Sequence, residues 1–564
     1  MPEYYTPALV YIAAAALVPF VPKGFLRGLY LLFVPLAGIL IFWNLTPGVY
    51  NAFNLMGMQI GLMRVDALSQ LFGLAFSVAA ILAALYAWHL RDTIQQVTTL
   101  LYAGSAIGAV FAADLITLFV FWEGTAIASV FLIWARRTEG AFAAGMRYLI
   151  IQIGSGVILI AGIVLYYRET GSISFTVMEL GSPATWLILA AIGIKCAFPF
   201  LHNWMHDAYP SATVTGTVIL SIFTTKLAVY ALLRGFPGTE LLIYIGVAMA
   251  LFPIAFALLE NDLRRVLTYS LNSQLGFMVV GAGIGTPLAI NGAAAHAVAS
   301  IFYQGLLFMC VGAILFRTGT ARATALGGLY RTMPVTMIFC LIGAASISAM
   351  PLTSGFVSKS LILSASGYEE MFCVWIALLV ASIGAILHTG LRLPYLAFFG
   401  CDSSLRPKEA PPGMLMAMGL TAALCIMIGA FPAALYALLP NDVSYEPYTF
   451  SHIIVQLQLI AFVTLAFTRA VKIGFLPKLE RVTILEFDWT YRRLLPAVIR
   501  GFRRMIGTLW GNASYNIDRR LNHFLTAIYS LHGPHGPFAR TWPTGAMVMV
   551  VALLLGMTLV LTYL

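Results

Sequence analysis

The chain has 564 residues, of which 60% are hydrophobic and only 10% charged, and its net charge is +10. Apolar runs of about 20 residues, the length that crosses a bilayer, recur from end to end. That composition excludes a soluble domain and identifies a polytopic membrane protein, expected to be all-α.

Cutting the sequence at charged and Pro/Gly-rich breaks predicts about 16 spans. They lie near residues 8–21, 26–44, 65–88, 97–112, 113–134, 146–167, 184–206, 211–233, 240–259, 266–284, 288–316, 333–366, 371–399, 414–438, 452–472 and 544–564. The first run, Pro7 to Phe20, has no basic stretch before it and no small-residue cleavage site after it, so it reads as a retained helix rather than a signal peptide. Alternate loops carry 26 of the 32 Lys and Arg residues, while the opposite loops hold only Arg64, Arg168 and Arg234. By the positive-inside rule the rich side is cytoplasmic and both termini face outward. The positive charge therefore reports topology, not nucleic acid.

Subtracting both sets from the 32 leaves three basic residues, all of them within spans: Lys195, Lys226 and Lys359. An ammonium near the bilayer centre costs about 2.5 to 3.5 kcal/mol on insertion scales, so each is a functional hypothesis. Glu123 in the fifth span raises the same question, because a carboxylate at that depth needs a proton or a cationic partner. Either a structural ion pair or a functional carboxylate answers it, and the apolar surroundings favour the second. In the seventh span Pro199 follows Lys195 by four residues and opens the helix, which membranes tolerate where freed backbone groups line a polar cavity. His202 and His206 are four apart with Asp207 adjacent; the spacing lacks an HExxH pattern and a third ligand, so a role in proton uptake is favoured over metal.

The eighth span carries Thr213, Thr215, Thr217, Ser221, Thr224 and Thr225 ahead of Lys226, hydroxyls that either pack helices or hold a water file. In the span from Ala289 to Phe316, His296 could exchange a proton near neutral pH or serve as a buried structural group, with Ser300 and Gln304 on much the same side. The segment Ala349-Met-Pro-Leu-Thr-Ser-Gly-Phe356 interrupts the next span just before Lys359, which repeats the earlier device. Two broken helices, each beside a lysine, suggest the related halves of a transporter. His388 and Arg392 read as helix-end carbonyl contacts. The six cysteines are scattered singly and support no cluster or disulfide framework. From Pro496 to Leu531 apolar residues recur at helical spacing with Arg500, Arg503, Arg504, Arg519 and Arg520 between them, predicting a lateral amphipathic helix of about 50 Å. It should end at His532-Gly-Pro-His-Gly-Pro537, after which Trp542-Pro-Thr-Gly leads into a terminal anchor.

Several of these segments, in order, carry a family resemblance: Phe121-Trp-Glu123; Lys195-x-x-x-Pro199-Phe with His202-x-Trp204; Thr225-Lys226-Leu-Ala-Val-Tyr-Ala-Leu-Leu-Arg234; Leu263-Arg-Arg-Val-Leu-Thr-Tyr-Ser270; and Ser354-Gly-Phe-Val-Ser-Lys359. Over about residues 65 to 400 the chain resembles the antiporter-like subunits shared by Mrp-type multisubunit Na+/H+ antiporters, their D-type members above all, and the membrane arm of respiratory complex I. The resemblance implies a Glu–Lys pair at Glu123 and Lys195, further proton-translocating groups at Lys226, His296 and Lys359, and inverted repeats holding the two discontinuous helices. The tail from Gly501 to Leu564 is similar to the lateral helix and last span of the longest complex I member. Two departures stand out: Gln304 replaces a family lysine, and Met205-His206 replaces the usual Leu-Pro.

The resemblance thus predicts an ion-translocating subunit of a hetero-oligomeric complex in the bacterial inner membrane, moving H+ by relay with Na+ in exchange, without cofactor or metal. The alternatives are a proton-pumping subunit of a complex I-like or hydrogenase-type redox complex, or of an inorganic carbon uptake complex. Expected divisions are N-terminal helices (1–95), a translocating core (96–400), C-terminal helices (401–480), the lateral helix (481–540) and the anchor (541–564).

Overall fold

The computed structural model describes residues 6–55, 58–474, 489–532 and 544–563. Residues Met1–Ile484 and Leu485–Leu564 form separate compact units. In the first, α1 (Pro7–Leu17) and α2 (Phe25–Trp43) are followed by an antiparallel hairpin, β1 (Gly48–Leu55) with β2 (Met58–Val65), in register from Gly48 opposite Val65 to Leu55 opposite Met58. The hairpin departs from the all-helical expectation. Its Ile60, Met63 and Val65 are buried, so it closes over the helix ends with an apolar face.

Then come α3 (Ala67–Tyr86), α4 (Thr93–Phe111), α5 (Leu115–Trp134), α6 (Glu139–Thr170), α7 (Pro183–Cys196), α8 (Asn203–Ala208), α9 (Val214–Ile222), α10 (Thr224–Gly235), α11 (Leu241–Leu259), α12 (Leu263–Ile284), α13 (Pro287–Thr318), α14 (Pro334–Ile347), α15 (Ser354–Tyr368), α16 (Phe372–Ala385), α17 (Pro412–Ala430), α18 (Pro432–Tyr436) and α19 (Phe450–Lys472). Side-chain caps set many of the starts. Asp66 and Ser69 form a capping box on α3, Ser182 and Thr185 one on α7, and Asp114 accepts from Thr117 N on α5. Asp114 also accepts from Gly61 N at 3.0 Å, which ties the hairpin to the start of α5. Among the described residues, 11 helices are long and apolar enough to cross a bilayer, and shorter apolar helices such as Pro183–Cys196 and Pro334–Ile347 are halves of interrupted spans. The chain is a multi-pass membrane protein. At its centre α10, α12 and α13 are buried almost throughout, while large apolar side chains such as Phe20, Tyr244 and Phe462 are exposed on the periphery, where lipid is the natural solvent.

The interruptions position the site. α7 ends at Cys196, with Ala197 in the left-handed region, and α14 ends at Ile347, with Ala349 in the same conformation. A third interruption, which the sequence reading missed, falls at Phe223 between α9 and α10, so the eighth span is two helices rather than one. Beyond α16 the winding widens to π-helical over Ile386–Arg392 and again over Tyr395–Phe399.

The second unit holds α20 (Leu495–His532), a 38-residue helix, and α21 (Thr544–Tyr563). The former carries exposed Val498, Phe502, Ile506, Leu521, Phe524 and Leu525 along its length. Residues 533–543, which hold most of the expected breaker and Trp542, lie outside the described residues, as do 481–488.

Candidate functional site

Each intramembrane lysine hydrogen-bonds a backbone carbonyl, and two of those carbonyls lie at a helix interruption. The last carbonyls of a helix have no partner within it, so a buried helix end needs donors from elsewhere. Lys359 Nζ donates to Ile347 O, the last residue of α14, at 2.8 Å. Lys226 Nζ donates to Ser221 O at 2.7 Å, across the break at Phe223. Tyr102 of α4 takes the amide freed at that break, accepting from Thr224 N at 3.1 Å. Lys195, next to last in α7, reaches across to α5: it donates to the Trp122 carbonyl and, at 2.8 Å, to Thr125 Oγ1, with its ammonium 4.4 Å from the centre of the Trp122 ring. All three side chains are buried.

Glu123 is the neighbour of the residue that holds Lys195. Its carboxylate lies against α6 at Gly156, where an added Cβ would come within 1.5 Å of Oε1. The bare glycine is what admits it. Oε1 is buried without a hydrogen-bond partner. The Glu123 and Lys195 charges act on one another, yet among the described residues no direct ion pair joins them.

His296 sits at the middle of the chain of groups. Its Nδ1 is 3.0 Å from Ser358 Oγ, one residue before Lys359, and its Nε2 is 3.3 Å from Gln274 Oε1 and from Tyr303 Oη. The charges of Lys359 and Lys226 both act on it. The structure therefore brings together Lys226, His296 and Lys359 on one side and Glu123 with Lys195 on the other, joined through the packing of α7 on α10 and α10 on α13. Gln304 is buried with neither amide atom partnered by protein, as are Gln152 and Asn272. Buried amides without a protein partner are groups to which ordered water can bond.

His202, His206 and Asp207 form a separate group around α8. The two imidazoles are 5.2 Å apart, His206 lies 4.0 Å from the Tyr269 ring, and Asp207 pairs with Arg147 of α6 at 2.7 Å. Arg264 holds the loop that follows through the Pro210 and Ala212 carbonyls, and Arg136 reaches Pro210 O at 2.9 Å. Among the described residues no group of three metal-ligating side chains occurs.

Sequence reasoning missed Thr125, Gln152, Asn272, Gln274, Tyr303 and Ser358. The polar run from Thr268 to Gln274 inside an otherwise apolar span was the available signal for α12; the others look like ordinary helix residues until the packing is known.

Comparison with known proteins follows the same outline. Residues 112–386 match the family described as NADH:quinone oxidoreductase/Mrp antiporter, TM. The chain is 31% identical over 422 residues to the A-type component of the Na(+)/H(+) antiporter of Alkalihalophilus pseudofirmus, covering 65% of this chain and 52% of that one. It is 25% identical to the D-type component of the Na(+)/H(+) antiporter of Bacillus subtilis, covering 77% and 92%. The Mrp complex of a Dietzia species has a component of similar fold, with a TM-score of 0.67 at 19% identity over 82% of this chain and 95% of that chain. The chain spans about half the length of the curated relatives that head the comparison. The likeness to the NADH:quinone oxidoreductase/Mrp antiporter membrane family thus runs through residues 112–386, the part of the chain that holds Glu123, the three lysines and His296.

Proposed function

We propose that the chain is an ion-translocating membrane subunit of a multisubunit monovalent cation/H+ antiporter, moving H+ along Glu123, Lys195, Lys226, His296 and Lys359. The observation that carries this reading is the placement of each buried lysine on a neutral carbonyl, with His296 between two of them. An ammonium bonded directly to a buried carboxylate gives up its proton at a large cost, because the carboxylate is then left unpaired. A carbonyl accepts from an ammonium and, more weakly, from a neutral amine, so each lysine can release its proton and keep its anchor.

The steps follow from the geometry. Glu123 supports the charge on Lys195, and a shift of its carboxylate away from Gly156 alters that support. A proton leaving Lys195 moves to Lys226, and His296 passes it on to Lys359 by exchanging the proton on one ring nitrogen for that on the other. His202, His206 and Asp207 would feed the first lysine, and Gln304 would hold water in the path near His296. The complex would lie in a bacterial inner membrane with both termini outward, its partners being other membrane subunits, and Na+ would move in exchange. The C-terminal α20 would lie along the membrane surface.

The test is H+ and Na+ flux in inverted vesicles carrying the whole complex, native against Glu123→Ala and Lys195→Ala. Loss of Na+-dependent H+ movement in an assembled variant is expected; native flux in both overturns the relay. The family description spans redox complexes as well, and flux that appears only with an electron donor would establish that second reading.

A further inference from the structure

The two halves of the core repeat one device, and the second half holds a titratable group that the relay above does not use. In the first half the broken helix α7 is followed by a helix that is itself interrupted at Phe223, and Lys226 sits just past the interruption. In the second half the broken helix α14 is followed, after α15, by α16, whose regular winding fails at Ile386. His388 sits just past that point. We propose that His388 is a proton-relay group for Lys359, the counterpart of Lys226, and that it connects Lys359 with the Arg-rich side of the membrane. This rests on the function proposed above.

His388 is fully buried. Its Nδ1 is 2.5 Å from Gly384 O, and because a carbonyl only accepts, that nitrogen carries the proton. The tautomer is thereby set, and Nε2 presents its lone pair. It is buried without a protein partner. A widened turn explains how the side chain is turned inward: one extra residue per turn shifts everything beyond it around the axis, and such turns recur at functional positions.

The surroundings connect this imidazole to the break beside Lys359. Gly390, two residues on, approaches Ser348 so closely that a Cβ there would lie 2.2 Å from Ser348 Oγ, and Ser348 directly follows the carbonyl that holds Lys359. From α12 Ser270 accepts from Thr389 Oγ1 at 2.9 Å, and from α19 Gln456 donates to Ser348 O at 3.0 Å. The charged groups that act on His388 are Arg392 on its own turn and Lys359 from α15. Behind Arg392, the end of α11 presents Ala257 O at 2.9 Å and Glu260 O at 3.2 Å, and the Glu260 carboxylate pairs with Arg265 at 3.6 Å, at the rim. The order Lys359, His388, Arg392, Glu260 thus leads from the buried break to the end of α11.

The experiment compares His388→Gln and Lys359→Ala with the native protein in the assembled complex, reading H+ flux in inverted vesicles from pH 6 to 9. The Gln side chain can still donate to the Gly384 carbonyl but cannot take up a proton. The expected result is a tenfold or greater fall in flux and a changed pH profile in His388→Gln, with assembly intact. Native rate and native pH profile in His388→Gln, beside lost flux in Lys359→Ala, overturn this inference alone; native flux in Lys359→Ala overturns the relay on which it rests. His388→Asn, also able to donate but not to titrate, takes the place of a Gln variant that fails to assemble, and native flux in it overturns the inference equally.

Discussion

The break at Ala197 and the break at Ala349 are the same piece of backbone 152 residues apart. In the first, Ala197 N bonds Ile194 O and Phe198 N bonds Gly193 O; in the second, Ala349 N bonds Ser346 O and Met350 N bonds Ala345 O. Each has an alanine in the left-handed conformation, then a proline two residues on, then a second residue of positive φ, Phe200 or Leu352. This is the closing pattern of a helix that ends against a reversed residue, with proline preventing resumption. A non-glycine in that conformation costs on the order of 1 kcal/mol or more and persists where the surroundings impose it. The side chains, by contrast, diverge. The first break carries its lysine two residues before the alanine; the second carries it ten residues after, and Ile347 stands where Lys195 would be. At the second break the lysine holds the broken helix's own carbonyl; at the first, the Trp204 indole donates to Ile194 O at 2.9 Å, and Lys195 reaches across to α5. One scaffold thus holds a lysine that reaches a neighbouring helix and a lysine that stays on its own broken helix.

Removing the lysines tests that equivalence most strongly. Lys195→Met and Lys359→Met should each lower H+ flux on the order of 10²-fold, the scale on which a lost proton-transfer group is felt. Assembly of the complex, checked by native gel, should persist, because methionine fills the cavity. A large loss in one variant and none in the other would show that only one half of the scaffold conducts.

Next in size is the contrast between two glycines. A Cβ on Gly355 would lie 1.8 Å from the Ser346 carbonyl oxygen, which is backbone and cannot step aside. Gly355→Ala should therefore destabilise by about 3 kcal/mol, the upper range for overpacking, and lower the thermal midpoint of the purified complex. At Gly156 the obstacle is the free end of the Glu123 side chain, which can rotate. Gly156→Ala should leave the thermal midpoint almost unchanged while lowering flux about tenfold, since a displaced group in a relay costs rate without costing fold. Equal stability losses at both positions would mean that the Glu123 carboxylate is a fixed structural element.

Much of this was legible in the sequence, because a charge in an apolar run is conspicuous. Lys195, Lys226, Lys359 and Glu123 announced themselves by type and depth, and Pro199 and Pro351 marked two breaks. The third break at Phe223 has neither proline nor glycine beside it; it is stabilised by Tyr102 from another helix, so no local signal exists. The hairpin Gly48–Val65 was hidden because its apolar residues face helix ends rather than alternating cleanly with polar ones. The direction of Glu123 toward Gly156 depends on which residue of α6 faces it. Spacing along one helix does not carry that information.

The smallest effect bears on how the second break is held. Gln456 of α19 donates to Ser348 O at 3.0 Å and is itself buried, so it satisfies a carbonyl that the interruption leaves free. At the first break the side-chain donor is local instead: Trp204 donates to Ile194 O, two residues before the counterpart of Ser348. Gln456→Leu should therefore cost about 1 to 3 kcal/mol, the penalty of an unpartnered buried acceptor, and should loosen the second break without touching the first. Amide exchange at Ala349 and Met350 would rise while that at Ala197 and Phe198 stayed at the native level. Because Lys359 draws on the adjacent Ile347 carbonyl, a modest loss of flux should accompany the faster exchange. Faster exchange with unchanged flux would show that the lysine's anchor is set by α14 alone and that the two breaks, alike in backbone, are independent in function.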